Sequence, residues 1–195
     1  MLTDWLDSLD RSITLAINGL HFKYGDQLWQ LFSDIKFWIP LYLAIIVFLY
    51  LRLGWKRATV VLASLLLTFA ACDQFSNLVK DSSERLRPCY DSEMISRGLH
   101  TLEKRGGFYG FFSAHAANAF GVAICSFIGF RNDKNHRYKK YGWFIFIWAL
   151  MVALSRVFAG KHYFGDVFVG SVTGLCAGFL FAQLAKLVIN KSDLL

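Results

Sequence analysis

The chain alternates between long apolar runs and short charged stretches. The apolar runs cover residues 37–51, 58–79 (interrupted by Asp73), 106–130, 141–155 and 167–185. A helix needs roughly 20 apolar residues, with about 17–25 tolerated, to cross the hydrocarbon core of a membrane. Three runs meet this length, and the two shorter ones meet it if the flanking Lys36, Arg52 and Arg156 extend their stems along apolar surface. The pattern predicts an all-α polytopic membrane bundle with about five transmembrane helices.

Residues 1–20 show a different pattern, in which apolar and polar positions occupy opposite faces of one helix. Trp5, Leu6 and Leu9 belong to the apolar face, while Asp4 and Asp7 belong to the polar face. This pattern favours an amphipathic helix lying in the outer membrane interface, with a poorly ordered leader as the alternative. The acidic start is not that of a cleavable signal peptide. Residues 21–34 are interpreted as a turn and an aromatic stretch leading into the first span.

Composition narrows the class of protein. Of the 195 residues, 55% are hydrophobic, which leaves too little polar surface for a soluble bundle with buried helices. We find no repeat, linker or second domain, so residues 1–195 are expected to form a single domain. The spacing of small residues at Gly170, Gly174 and Gly178 in the last run predicts a close helix–helix contact rather than chemistry.

The net charge of +7 does not indicate nucleic-acid binding, because the basic residues lie at the ends of spans rather than along one face. They cluster in residues 52–57, 131–140 and 186–191, which five spans would place on one side of the membrane. The positive-inside rule makes that side cytoplasmic. Residues 1–35, 81–105 and 157–165 would then lie on the outer side.

Cysteine usage gives no sign of a disulfide framework or a metal centre. Cys72, Cys125 and Cys176 fall inside apolar runs, which leaves Cys89 alone on the outer side. No Cys/His spacing typical of metal ligation is present. The sequence therefore predicts no metal and no cofactor.

The first candidate site lies between the last two runs and contains Arg156, His162 and Asp166. His162 and Asp166 are four residues apart, so one helical turn would place them on the same face. A carboxylate that accepts a hydrogen bond from one imidazole N–H fixes the tautomer and leaves the lone pair of the other nitrogen available for attack. A purely structural histidine beside a carboxylate at a helix start is the alternative.

Two further clusters also fall at the ends of runs. Ser113 is a natural N-cap residue, and a helix that begins there would present its free N–H groups and His115 to an anion. Lys80 and Arg87 flank a polar stretch that Pro88 ends. Together the three clusters supply three cations, a helix N-terminus and two histidines, which is what phosphoryl transfer requires.

Some charged residues carry weaker expectations. Asp73 falls on the same helix face as Lys80 and is hypothesised to hold it, although it would equally suit a hydrogen bond to a neighbouring helix. Loop charges are common, so a second group is given less weight: Arg85, Arg97, Lys104 and Arg105.

The order and spacing of the motifs resemble the type 2 phosphatidic acid phosphatase superfamily of integral-membrane lipid phosphatases. Its K-x6-R-P motif is met by Lys80, Arg87 and Pro88, and its S-R-x5-H-x3-D motif by residues 155–166. The P-S-G-H motif is met only in part, since residues 112–115 read Phe-Ser-Ala-His. The motif-bearing region spans residues 80–166.

The resemblance implies a role for each motif residue and a metal-independent reaction. His162 would be the nucleophile that becomes a phosphohistidine, with Asp166 orienting it, and His115 would protonate the leaving group. The phosphate oxygens would be held by Lys80, Arg87, Ser113, the backbone of Ala114, and Arg156. The departures at Phe112 and Ala114 leave the geometry of the anion loop open.

The resemblance also implies a bacterial inner-membrane enzyme that acts on a lipid phosphate, and no obligatory protein partner is inferred. The distribution of basic residues places its site on the periplasmic side. Undecaprenyl diphosphate is ranked first as substrate, with lipid A or phosphatidylglycerophosphate as alternatives.

Other functions remain as alternatives: a head-group transferase, an inactive relative, or a transporter. A transporter would carry charges through the depth of several spans, whereas here Asp73 is the one charge well inside a run. A haloperoxidase is disfavoured because those relatives are soluble.

Overall fold

The computed structural model describes residues 2–102 and 106–192. Within those ranges the chain forms seven α-helices and no β-strand, which confirms the all-α fold class. The helices are α1 (Leu2–Asn18), α2 (Lys23–Ser33), α3 (Ile39–Ser83), α4 (Ser92–Ser96), α5 (Ala114–Phe130), α6 (Lys139–Phe158) and α7 (Phe164–Ser192). Short 3-10 turns at Ile35–Trp38 and Pro88–Tyr90 precede α3 and α4.

The first two apolar runs form the two arms of α3, which fold back on each other at Gly54. This glycine has φ 71° and ψ 170°, a conformation that L side chains rarely adopt. The Tyr50 and Thr59 hydroxyls lie 3.1 Å apart across the turn. The arms are therefore antiparallel, as two successive membrane spans require.

Three helical segments of the described chain are long and apolar enough to cross a membrane: Ile35–Ser83, Lys139–Phe158 and Phe164–Lys191. With the two arms of α3 counted separately and the shorter apolar α5 included, the described ranges contain the five apolar segments that the sequence predicts. The third apolar run begins at residue 106, and α5 begins within it at Ala114, directly after the proposed cap residue Ser113. Residues 106–113 instead form part of the site at that end of the bundle.

The glycine spacing in α7 allows this helix to touch the backbone of α5, as predicted. A Cβ atom at Gly174 would lie 2.0 Å from the Ala117 carbonyl oxygen, and one at Gly170 would lie 2.5 Å from that of Ser113. Gly178 faces Gly121 in the same way, at 2.5 Å. These contacts leave no room for a side chain at any of the three positions.

The N-terminal region packs on the end of the bundle that carries the motifs. The predicted helix at residues 1–20 is confirmed as α1; its position in the membrane interface stays a prediction. Residues 21–34 were interpreted as a turn and an aromatic stretch, and the helix α2 at residues 23–33 was not predicted there. Trp29 of α2 stacks on Phe158 at the end of α6, with ring centroids 4.0 Å apart, and this packing stabilises the short helix.

The basic loops meet at the opposite end. An Arg52 terminal nitrogen lies 2.9 Å from His136 Nε2, so the turn at Gly54 contacts the loop between α5 and α6. The motif residues and the basic clusters thus occupy opposite ends of the helices.

Candidate active site

The structure brings together the eight residues that the sequence predicts for the site. They come from the end of α3, the following loop, the start of α5, the end of α6 and the start of α7: Lys80, Arg87, Ser113, Ala114, His115, Arg156, His162 and Asp166. The charges of Arg156, Arg87 and Lys80 act on both His162 and His115, and His162 also acts on His115. Both imidazole rings therefore lie at the same end of the bundle.

His162 lies two residues before α7, and its Nδ1 faces the Asp166 carboxylate. The distance from Nδ1 to Asp166 Oδ2 is 3.5 Å, longer than a normal hydrogen bond. Asp166 is fully buried, and its Oδ2 accepts the Tyr163 N–H at 3.0 Å. Catalytic hydrogen bonds are often long before substrate binds. A proton on Nδ1 directed at Asp166 would leave the Nε2 lone pair available.

The surroundings of His162 favour its neutral form. Its side chain is only 2% exposed. Burial, followed by the positive charges of Arg156, Arg87 and Lys80, holds the pKa of His162 well below its usual value, while contact with the Gly110 backbone acts in the opposite direction. A neutral imidazole at ordinary pH is the form that can attack phosphorus.

The start of α5 forms the second wall of the site. Ser113 is its N-cap, as predicted, and the Ser113 Oγ accepts the Ala116 N–H at 3.4 Å. The Ser113 N–H donates to the Asp166 carbonyl at 3.0 Å, which joins the two motif segments. The amides of Ala114 and His115 belong to the first turn, whose N–H groups have no acceptor within the helix and suit an anion.

Phe112 takes the place of the proline in the resembled motif. It is 1% exposed, and its carbonyl accepts a hydrogen bond from the Ser76 hydroxyl of α3 at 3.2 Å. The loop before α5 is therefore anchored by an aromatic side chain and a cross-helix hydrogen bond.

Arg87 and Lys161 both lie near Gly106, in the loop before α5. Lys161 was not among the predicted site residues. The Arg87 N–H donates to Phe108 O at 2.9 Å, and its Nε donates to Tyr109 O at 3.0 Å. A Cβ atom at Gly106 would lie 3.7 Å from Arg87 Nη1 and 3.9 Å from Lys161 Nζ. Lys161 is 3% exposed, so the site contains a second buried cation close to Arg87. Its position directly before His162 was the only sequence signal available.

Arg85 had been given little weight as a loop charge, and the structure corrects this. Its guanidinium donates to Asp166 Oδ1 at 2.7 Å, to Asp10 Oδ2 at 2.8 Å and to Asp7 Oδ1 at 3.1 Å. Burial alone would lower the pKa of Arg85, but Asp166, Asp10 and Asp7 outweigh it and hold this pKa above its usual value. Arg85 is therefore a permanent positive charge on the buried Asp166.

Helix α1 supplies the second layer of this network. Asp10 Oδ1 accepts the Gly165 N–H at 2.7 Å, and the Thr14 hydroxyl oxygen accepts the Phe164 N–H at 2.9 Å. These side chains satisfy N–H groups at the start of α7, where a helix has no acceptors of its own. The amphipathic helix thus helps to fix the element that carries Asp166.

Helix α2 contacts Arg156, the predicted cation at the end of α6. Arg156 is 4% exposed, and one of its terminal nitrogens donates to the hydroxyl of Ser33, the last residue of α2. Ser33 also lines a cavity of about 140 Å³ together with Ala114, His115 and Asp73. This contact joins residues 123 positions apart, a separation at which sequence patterning carries no information.

The remaining charged candidates differ from expectation or fall elsewhere. Within the described residues no ion pair joins Asp73 to Lys80. Asp73 Oδ2 lies 3.5 Å from Asn77 Nδ2, and Asp73 faces the His115 cavity. Arg97 makes a surface pair with Glu93 at 3.1 Å. Lys104 and Arg105 lie outside the described residues.

Comparison with known proteins identifies related sequences over most of the chain. The model of the PAP2 superfamily matches residues 58–189. The lipid A 4'-phosphatase of Bacteroides thetaiotaomicron is 31% identical over 186 residues, which is 94% of this chain and 80% of that protein. The lipid A 4'-phosphatase of Porphyromonas gingivalis is 29% identical over 176 residues, covering 90% of this chain and 72% of that protein.

Two further proteins resemble the chain less extensively or in fold alone. The undecaprenyl-diphosphatase BcrC of Bacillus subtilis is 31% identical over 100 residues, covering 51% of this chain and 48% of that protein. The crystal structure of a PAP2-type phosphatidylglycerolphosphate phosphatase from Bacillus subtilis has a TM-score of 0.71 at 21% identity, covering 93% of this chain and 86% of that chain. The family match begins at residue 58, so α1 and α2 support the site from outside the matched region.

Proposed function

Since the chain belongs to the PAP2 superfamily and is a membrane lipid phosphatase, we propose that it removes the 4'-phosphate from lipid A. The sequence alone had ranked undecaprenyl diphosphate first. The lipid A phosphatases match along nearly the whole chain, whereas the undecaprenyl-diphosphatase matches about half of it. The extent of that similarity supports lipid A, which the sequence alone had given as an alternative substrate.

Substrate binding depends on the positive charges at the end of the helices that carries the motif residues. Lys80, Arg87 and Arg156 hold the phosphate oxygens together with Ser113 and the Ala114 amide, and Lys161 adds a further cation beside Arg87. Charge-assisted hydrogen bonds of this kind are the strong ones. They also stabilise the charge on the equatorial oxygens in the transition state.

The reaction then proceeds in two displacements. The Nε2 lone pair of His162 attacks phosphorus, the bond from phosphorus to the sugar oxygen breaks, and His115 donates a proton to that oxygen. Bound phosphate brings negative charge that offsets the surrounding cations, so His115 can carry a proton at this stage. In the second step His115 takes a proton from water, the resulting hydroxide attacks the phosphohistidine, and inorganic phosphate leaves with His162 regenerated.

The single observation that carries this mechanism is the placement of Asp166 against His162 Nδ1 inside a ring of cations. Asp166 orients the imidazole so that the opposite nitrogen faces phosphate, and Arg85 holds Asp166 in turn. No step in this scheme requires a metal ion.

We expect purified protein to release phosphate from lipid A with kcat/KM at least about tenfold higher than from undecaprenyl diphosphate or phosphatidylglycerophosphate, a difference of about 1.4 kcal/mol in transition-state binding. Release of inorganic phosphate in detergent, with chelator present, measures this. Faster turnover of undecaprenyl diphosphate would overturn the substrate assignment and leave the mechanism intact. A strict need for an added divalent cation would overturn the mechanism. Phosphate recovered on an acceptor lipid would indicate the transferase alternative.

We also propose that the site faces the periplasm, supported by the basic clusters at the opposite end of the helices. The test uses a variant in which the four native cysteines are replaced by alanine. In intact cells with a permeabilised outer membrane, a cysteine at the exposed Ser96 should react with a membrane-impermeant maleimide. A cysteine at the exposed Lys134, the matched control, should react only after lysis. The reverse labelling pattern would show that the site faces the cytoplasm.

A further inference from the structure

Two histidines and an aspartate converge outside the phosphate site. They are His21 between α1 and α2, Asp26 in the first turn of α2, and His100 in the segment after α4. Their potential ligand atoms all lie within 4.8 Å of one another. His100 Nε2 is 2.9 Å from Asp26 Oδ2, and the two imidazole rings are stacked with centroids 3.9 Å apart.

The backbone beneath this cluster is firmly held. Asn18, which is 1% exposed, accepts the His100 N–H at 2.8 Å and donates to the His100 carbonyl at 2.9 Å. The same Asn18 amide donates to the carbonyls of Val157 and Phe158 at the end of α6. His100 therefore occupies a fixed position relative to α1 and α6 before any ligand binds.

Asp26 provides a second, independent observation. Its Oδ1 atom is shielded from solvent and has no hydrogen-bond partner among the residues that the structure describes. A shielded carboxylate oxygen is unfavourable unless a donor or a cation satisfies it. The ion pair with His100 accounts for Oδ2 and leaves Oδ1 unexplained.

We propose that His21, Asp26 and His100 bind a zinc ion that braces the outer end of the protein. Two imidazole nitrogens and one carboxylate oxygen suit zinc, with water as fourth ligand, whereas magnesium and calcium prefer sets of oxygen ligands. Bond lengths near 2.0–2.1 Å in a tetrahedron require donor atoms about 3.3 Å apart. The donor atoms now lie up to 4.8 Å apart, and rotation of the exposed His21 side chain would bring its ring nitrogen closer to the other two ligands.

Zinc at this position would join three segments that are distant in sequence. It would tie the α1–α2 connection and α2 to residues 99–102, whose Leu102 N–H donates to Ala159 O at 3.4 Å. None of the three ligands belongs to the phosphate site, so this ion has a structural role and takes no part in the reaction. The competing account is an ion pair between His100 and Asp26 with His21 stacked on it, which predicts no response to zinc.

The test uses the full chain without a polyhistidine tag, treated with chelator and then freed of it. Calorimetric titration with zinc chloride should show one saturable site per chain, and zinc should raise the midpoint of thermal unfolding. Magnesium should do neither. Cobalt should give the absorption bands of a tetrahedral site.

His21→Ala and Asp26→Asn should each weaken zinc binding at least about tenfold. His21 is exposed, so its removal leaves the fold intact. His136→Ala is the matched control, because His136 also pairs with an aspartate, Asp133, at 2.7 Å but lies at the other end of the bundle. It should bind zinc as the native chain does.

Three outcomes would overturn the proposal: no saturable zinc binding, unchanged affinity in both His21→Ala and Asp26→Asn, or loss of binding in His162→Ala instead. The last would place the ion in the phosphate site. Because binding and unfolding are measured rather than phosphate release, failure of this proposal is distinguishable from failure of the proposed function.

Discussion

His162→Ala is expected to lower kcat for phosphate release by about 10⁴-fold or more, the scale found when a nucleophile is removed. Alanine offers no lone pair to phosphorus, so the covalent intermediate cannot form. Acid-labile, base-stable radioactive phosphate should accumulate on the native chain in quenched reactions with labelled substrate and be missing from the variant. His136→Ala, which removes a histidine at the opposite end of the bundle, should keep native activity.

The pH profile provides a second measure of the same residue. Because burial and the neighbouring cations lower the pKa of His162 below its ordinary 6.5, the neutral form persists as pH falls through that value. Activity is lost only when His162 is protonated at lower pH. The acid limb of kcat/KM, which reports groups of the free enzyme, should therefore lie below pH 6.5. A native kcat in His162→Ala would remove the nucleophile from the mechanism.

Arg85→Met is expected to reduce kcat by about 10²-fold or more, because small displacements of a catalytic group cost that much. Arg85 does not contact the bound phosphate in the proposed scheme; it holds Asp166, which holds His162. KM should therefore change much less than kcat. Arg85→Lys retains one charge and should recover part of the activity, whereas a native kcat in Arg85→Met would exclude the positioning role.

Stability distinguishes loss of positioning from simple unfolding. Removing one partner of a buried ion pair costs up to about 3–5 kcal/mol, and Asp166 is fully buried while Arg85 is 24% exposed. The double variant Arg85→Met/Asp166→Asn also removes the buried charge and should recover part of the thermal stability without recovering kcat; Asp7 and Asp10 still lose Arg85 as a partner. Arg97→Ala is the matched control, since Arg97 pairs with Glu93 on the surface, and it should leave stability and kcat unchanged.

Much of the fold can be predicted from the pattern of apolar and polar residues along the sequence. Where the structure differs from that prediction, the physical reason can be identified. Apolar length predicts the spans, and small-residue spacing predicts the contact of α7 with α5. The apolar run at residues 106–130 did not by itself separate the loop at residues 106–113 from a helix, but the predicted Ser113 cap marks the start of α5. Helix α2 was missed although Tyr24, Leu28, Leu31 and Phe32 recur at helical spacing, because the segment is only 11 residues long.

The residues of the candidate site also fall into a group that the sequence predicts and a group that it does not. The motif residues carry their spacing in the sequence, and the structure places them together. Asp10 and Ser33 were not predicted, and Arg85 was given little weight, because their contacts join segments 75 or more residues apart. A charge on a loop has the same appearance in sequence whether it faces solvent or a buried carboxylate. Only the folded chain separates Arg85 from Arg97.

The backbone contact between α5 and α7 has a consequence for how this enzyme tolerates its surroundings. Because a Cβ atom at Gly170 or Gly174 would lie against the carbonyl group of Ser113 or Ala117, the helix bearing Asp166 meets the backbone beside His115 at these two positions with no side chain between them. The distance from the proton donor His115 to the helix that carries Asp166, the partner of the nucleophile His162, is thus set by backbone contact. Turnover should stay nearly constant when the acyl chains of the host bilayer are lengthened or shortened, even as the helices tilt to match its thickness.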